Sequence, residues 1–167
     1  MRKAIKYIAY VVACALVFLF IAKTFMGSKQ GPVVASAFEW EKSVSVYFVD
    51  SVKAEDSSCV ATAEVKRIVP NAETLGPSAL AALIEGPKGE EANKYFSAIN
   101  PKTLIQKFEI TNGVAYVDFS DDLAQGVAGS CTVVAIRSQI ENTLVALPDI
   151  DKVVISINGG TIGILEP

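Results

Sequence analysis

Hydrophobic residues follow two patterns along this chain: one uninterrupted run near the start and a periodic alternation after it. The run, Tyr7–Ala22, contains no charged residue. At about 1.5 Å rise per residue it predicts a helix roughly 24 Å long. Lys6 and Lys23 flank the run, and their long side chains can reach the two membrane surfaces. We therefore expect an N-terminal transmembrane helix before a folded body.

The body alternates between strand and helix periods. Asn112-Gly113 separates two apolar stretches and favours a type I′ hairpin turn. Apolar residues three and four apart predict helices after Gly76 and over Thr132–Leu147. The element order β-β-α-β-β-α-β predicts an α+β fold, in which two helices pack on one face of a single mixed or antiparallel sheet. Period-two alternation predicts the strands over Ser43–Asp50, Cys59–Val69, Thr103–Thr111, Val114–Ser120 and Lys152–Asn158.

Three interpretations of the apolar run are open. A cleaved signal peptide would use Ala35–Ala37, which lies well beyond the end of the run. A lipoprotein signal would use Val11–Cys14, which leaves Ala15–Ala22 as an apolar mature terminus. An uncleaved anchor has neither difficulty, and we favour it. Basic residues cluster before the run, so we expect the N-terminus in the cytoplasm and the body on the extracytoplasmic side.

The charge pattern supports a division into three parts. We expect a cytoplasmic stub and anchor over residues 1–26, a linker rich in Gly and Ser over 27–41, and an exported domain over 42–167. Residues 1–38 hold five basic and no acidic residues, whereas the remainder holds ten basic and eighteen acidic residues, a net charge of −8. An acidic body repels nucleic acid, so we expect no nucleic-acid partner.

The sequence contains little catalytic equipment. It has no histidine, which removes the commonest general base and the commonest metal ligand. Asp118, Asp121 and Asp122 form the densest acidic group, and they lack the further ligands and the glycine of a calcium loop. Ser130 has no histidine to act as its base, and we expect Ser130 or Thr132 to cap the following helix. We therefore predict no enzyme activity, no catalytic or metal-binding residues and no cofactor.

Two cysteines lie outside the apolar run, Cys59 at a strand start and Cys131 at a helix start. An even number of cysteines in an oxidising compartment suggests a disulfide bond between them. Two buried free thiols are the alternative.

The second predicted strand, Cys59–Val69, combines apolar and charged residues, as is typical of a surface that binds a partner reversibly. Val60, Thr62, Glu64 and Lys66 share one face. We expect Arg67 to be exposed as well, where it can pair with a carboxylate of a partner. An exposed strand edge offers unpaired N–H and C=O groups to another chain. We therefore predict self-association or docking of a protein partner here; an envelope module that binds peptidoglycan or another glycan is the alternative.

Five sequence segments, in this order and spacing, resemble the GerMN domain family of sporulation and spore germination. The similarity runs from Val44 to Gly160, in a single copy behind the predicted anchor. The resemblance implies an exported, tethered, non-catalytic domain of the bacterial cytoplasmic membrane that serves as an assembly or scaffold element of the cell envelope. The segments that carry it are VYFVD, VKRIVP, ALAALIEGP, SAINPKTLIQKFEITNGVAYVDFSDDL and QIENTLVALPDIDKVVISINGG.

Overall fold

A computed structural model describes residues 40–56, 61–161 and Leu165, all within one compact unit, Glu39–Pro167. Short 3-10 turns over Gly89–Asn93 and Asp121–Leu123 connect some of its elements. In this part of the chain the strands are β1 (Glu41–Asp50), β2 (Thr62–Pro70), β3 (Tyr95–Phe96), β4 (Ile105–Thr111), β5 (Val114–Phe119) and β6 (Lys152–Ile157). The helices are α1 (Ser51–Asp56), α2 (Gly76–Glu85) and α3 (Ser130–Val145).

The predicted α+β class is confirmed, and the predicted single sheet is wrong. The described strands form two three-stranded sheets, in the orders β2-β1-β3 and β4-β5-β6. All pairs are antiparallel except β5 with β6. β3 is only two residues long and meets β1 at its far end, where Asp50 pairs with Tyr95.

Helix α3 lies where a longer neighbour of β1 would otherwise pair. The N–H of Tyr47 donates to Thr143 Oγ1 at 3.0 Å, and Gln139 Nε2 donates to the Tyr47 carbonyl at 3.3 Å. The same Gln139 accepts at Oε1 from the N–H of Ala98 at 2.8 Å. Gln139 and Thr143 are fully buried. These two side chains replace a strand neighbour and satisfy backbone groups that burial would otherwise leave unpaired.

The core lies between the helices and the inner faces of both sheets. The predicted Asn112-Gly113 turn is confirmed, because both residues have positive φ (51° and 77°), as a type I′ turn requires. Gly76 begins α2 against the ring of Phe108, where an added Cβ would lie 2.1 Å from the ring. The fully buried large aliphatic and aromatic residues include Phe48, Leu80, Leu83, Phe119, Leu123, Ile136, Ile140 and Leu144.

The predicted anchor, Tyr7–Ala22, lies outside the described residues. Over residues 40–56 and 61–161, no helix has both the length and the apolar character that a membrane span requires.

Candidate interaction surface

Strand β2 lies at the edge of its sheet, with β1 as its strand neighbour. The N–H and C=O of Tyr47 point away from β2, toward α3. In an antiparallel strand pair, two residues directly opposite each other either both direct their N–H and C=O groups toward the neighbouring strand, or both direct them away from it. Glu64, which is paired with Tyr47, therefore points its N–H and C=O out of the sheet, as do Lys66 and Ile68 by the alternation. The open edge of β2 thus offers the backbone groups of its even-numbered residues.

The outer face of β2 carries an ordered group of charges. Glu64 and Lys66 form an ion pair, and Ser45 on β1 joins them by donating to Glu64 at 2.7 Å and accepting from Lys66 at 2.8 Å. Hydrogen bonds from Lys66 and then from Ser45 hold the pKa of the Glu64 carboxyl below its usual range. Beside this group, Ile68 is 63% exposed, and Thr62 is half-buried and accepts from Asn142 Nδ2. Val60, the remaining predicted member of this face, lies outside the described residues.

The predicted exposure of Arg67 is wrong. Arg67 is only 8% exposed, because the odd-numbered residues of β2 face inward, where Val69 is also buried. Its guanidinium lies 5.4 Å from the centre of the Phe48 ring, a cation–π contact. Arg67 is therefore an internal residue of the domain and not a member of the outer face.

Arg67 holds the Gly89–Asn93 turn against the sheet. Both guanidinium NH2 groups donate to the carboxylate of Glu91, with Nη1–Oε1 at 3.0 Å. Nη1 also donates to the Lys66 carbonyl at 3.2 Å, and Nη2 reaches the Gly86 carbonyl at 3.5 Å. The bond from Arg67, followed by one from the N–H of Lys88, lowers the pKa of Glu91. Among the described residues, only Nε of Arg67 and Oγ1 of Thr103 are buried side-chain N or O atoms without a partner.

A groove of about 400 Å³ runs between β2 and α2. The helix contributes small side chains to it, including Ser78, Ala81 and Ala82. Because these residues are short, α2 leaves open space beside the C-terminal half of β2. Glu85 and Lys88 also line the groove, and they form an ion pair with each other at 2.8 Å.

Cys131 lies in the first turn of α3 and is disulfide-bonded. Cys59 lies outside the described residues, so the pairing of Cys59 with Cys131 stays a prediction.

The acidic residues near the end of β5 have local roles. Asp118 accepts from Ser156 Oγ and from the N–H of Gly159 at 2.8 Å, and Asp122 accepts from Ser120 Oγ at 3.2 Å. Within the described residues no three Asp, Glu or Cys side chains gather in a way that would hold a metal ion.

The predicted helix cap at Ser130 or Thr132 is wrong. Gly129 is the N-cap of α3 and makes no side-chain capping bond, while Ser130 is the first helical residue. Thr132 instead donates from Oγ1 to the Ala128 carbonyl at 3.1 Å. Gly129 takes this place because its φ of 84° lies in a region that disfavours side chains.

The outer face of the second sheet carries a separate polar and aromatic surface. Tyr116 is 47% exposed and borders a shallow cavity of about 230 Å³. Lys107, Asp118 and Ser156 also line that cavity. An exposed aromatic ring beside polar side chains is one arrangement that can receive a sugar ring.

Comparisons with known proteins agree with this architecture. The tandem GerMN domains of the sporulation protein GerM from Bacillus subtilis match with a TM-score of 0.60 and 20% identity, over 74% of this chain and 41% of that one. The first GerMN domain of the same protein matches with a TM-score of 0.57 and 22% identity, over 72% of this chain and 86% of that one. At these identities the likeness shows the fold, and this chain spans less than half of the tandem structure.

No curated protein matches the sequence significantly. A family model does match: residues 45–163 fit the Germane family, described as sporulation and spore germination. That match covers well over half of the chain. It includes all of β2 to β6 and all of β1 except its first four residues. The chain therefore belongs to the Germane, or GerMN-type, family of sporulation and spore germination.

Proposed function

We propose that this chain is a single-pass membrane protein whose GerMN domain lies on the extracytoplasmic side and acts by protein contact. In this role it is a non-catalytic assembly element of the bacterial cell envelope, used in sporulation or spore germination. The observation that carries the proposal is the nine-residue edge strand β2, whose outer face presents Glu64, Lys66 and Ile68. A long unpaired edge is a template for another chain, and this one has no proline before its last residue.

The apolar run supports the membrane part of the proposal. N-terminal sequencing of the membrane-extracted protein tests it, and we expect the sequence to begin at or beside Met1. A mature terminus at Phe38, or a lipidated Cys14, would replace the anchor with a cleaved signal or a lipid.

In-cell photocrosslinking of the full chain tests the contact part. A photoreactive residue replaces Glu64, Lys66 or Ile68 in turn, and Lys102, an exposed residue in the turn before β4, is the matched control. We expect protein adducts from the β2 positions and not from Lys102. If the β2 positions capture no protein, the contact function fails.

The alternative function is binding of an envelope glycan, which the surface around Tyr116 favours. Co-sedimentation of the purified full chain with peptidoglycan tests it, with Tyr116→Ala as the variant and Phe96→Ala, also exposed, as the control. Binding that Tyr116→Ala abolishes and Phe96→Ala retains would favour the glycan function. Absence of binding by the unmodified chain would remove it.

A further inference from the structure

Two copies of β2, placed side by side in antiparallel orientation, can set Glu64 of each copy opposite Lys66 of the other. We propose that the open edge of β2 pairs with β2 of a second copy of this chain, antiparallel and centred on Val65. This inference rests on the proposed contact function and names the partner of the same edge.

The pairing register follows from which backbone groups point outward. Only the even-numbered residues of β2 direct their N–H and C=O groups away from β1, toward the open edge of the sheet. A register that forms hydrogen bonds must therefore place even-numbered residues opposite even-numbered residues. A two-fold axis through Val65 does this. It sets Glu64 opposite Lys66 of the partner subunit, and Thr62 opposite Ile68 of the partner subunit. Each such pair can exchange two backbone hydrogen bonds.

The side chains select this register among the allowed ones. Centring the axis on Val65 places opposite charges across the interface twice, once on each side of the axis. An axis through Lys66 would instead place that lysine opposite its own copy, and an axis through Glu64 would do the same with the carboxylate. Like charges directly opposite each other destabilise a strand pair, whereas opposite charges stabilise it.

The existing contacts are compatible with the added strand. The Lys66 carbonyl already accepts from Arg67 at 3.2 Å, and a carbonyl oxygen has a second lone pair for a partner N–H. Ser45 already holds Glu64 and Lys66 on the outer face, so their side chains lose little freedom on pairing. Among the described residues, the outward N–H groups of Glu64, Lys66 and Ile68 donate no hydrogen bond to another backbone carbonyl. The product is a continuous six-stranded sheet in the order β3-β1-β2-β2-β1-β3.

Charge reversal provides the test, because the proposed register requires opposite charges at positions 64 and 66 of the two chains. Glu64→Lys alone sets lysine opposite lysine, and Lys66→Glu alone sets glutamate opposite glutamate. The double variant Glu64→Lys/Lys66→Glu restores opposite charges. An equimolar mixture of the two single variants also restores them, now between two different chains.

The measurement is sedimentation equilibrium of the full chain in neutral detergent micelles at about 0.15 M salt, where repulsion between the net charges is screened. We expect each single variant to self-associate about tenfold more weakly than the unmodified chain, since both symmetry-related pairs are affected. The double variant and the mixture should both recover the unmodified affinity. Thermal unfolding of each variant by circular dichroism establishes that it is folded.

Three results would overturn the pairing: an unmodified chain that stays monomeric at about 100 μM, single variants that associate as tightly as the unmodified chain, or a mixture no tighter than its components. These results differ from a failure of the contact function. A monomeric chain that still forms adducts with other proteins from β2 in cells contradicts the second-copy partner and retains the contact function. A chain without either property contradicts both.

Discussion

At the scale of single residues, Arg67 shows how a charge becomes internal. Four of its N–H donors meet acceptors, two on Glu91 and one each on the Lys66 and Gly86 carbonyls. The strand alternation of β2 was predictable from sequence, but the burial of an arginine was not. Its charged partner, Glu91, lies in a turn 24 residues later, and local periodicity carries no information about such a partner.

The first prediction concerns the shape of the Arg67 side chain. Arg67→Ala should lower the free energy of unfolding by about 2–3 kcal/mol, because it removes both packing on Phe48 and the paired donors. Arg67→Met keeps most of the volume and should cost less than about 1.5 kcal/mol, since Glu91 is partly exposed and can be solvated. Urea unfolding of the full chain in micelles measures both. Equal losses would show that volume at this position is unimportant.

The second prediction concerns the pH dependence of stability. The pKa of Glu91 is lowered in the folded chain, chiefly by the hydrogen bond from Arg67, from an ordinary value of 4.5. A carboxyl with a lowered folded pKa binds its proton more readily when unfolded, so its contribution is present above about pH 4.5 and is lost as pH falls through the folded pKa. Glu91→Gln should therefore have a shallower loss of unfolding free energy below pH 4.5. An unchanged acid limb in this variant would contradict the assignment.

At the scale of elements, local signals predicted which segments form, and non-local pairing decided how they assemble. The Asn112-Gly113 turn and the apolar stripe of α3 act within a few residues, so the hairpin and the helix could be read from the sequence. The split into two sheets depends on α3 meeting β1 through Gln139 and Thr143. In a helical pattern these two residues look like polar surface positions, which is why the sequence predicted one continuous sheet.

The third prediction tests this helix-to-strand contact. Thr143→Val keeps the side-chain shape and removes the oxygen that accepts from the N–H of Tyr47. It should lower the free energy of unfolding by about 1–3 kcal/mol, the cost of a buried unpaired backbone donor. Thr143→Ser retains the hydroxyl and is the matched control, with a smaller loss from one methyl group. If valine is tolerated better than serine, the oxygen is not what matters at this position.

The fourth prediction concerns the bond that fixes the start of α3. We expect Cys131 to be bonded to Cys59, which would close a loop of about 70 residues and stabilise the domain by roughly 4 kcal/mol in the chain-entropy model. Mass spectrometry after alkylation without reductant identifies the linked peptides in protein from its native membrane. Alkylation of both cysteines would refute this pairing, and a peptide linking Cys131 to Cys14 would replace it.

At the scale of the whole molecule, the two ends of the chain carry net charges of opposite sign. The predicted anchor region is basic, and everything after residue 38 carries a net charge of −8. This separation could be read from the sequence and suits a domain held outside the cytoplasm. The candidate interaction surface needed the structure, because the sequence alone does not show which strand lies at an edge or which of its residues face outward.

The last prediction concerns salt, and it sets two electrostatic effects against each other. Two bodies of charge −8 about 30 Å apart repel by roughly 9 kcal/mol in water without salt. With Debye lengths of about 30 Å at 0.01 M and 8 Å at 0.15 M, this falls to about 3 and then to about 0.2 kcal/mol. Glu64 and Lys66, which would face each other across the proposed β2 pair, are exposed on the single chain. Salt weakens an exposed pair by at most about 1 kcal/mol. Repulsion between the bodies therefore dominates at low salt, and we expect self-association in micelles to tighten from 0.01 to 0.15 M salt. A steady weakening over that range would mean that the charge pairs at β2, and not the net charge, govern association.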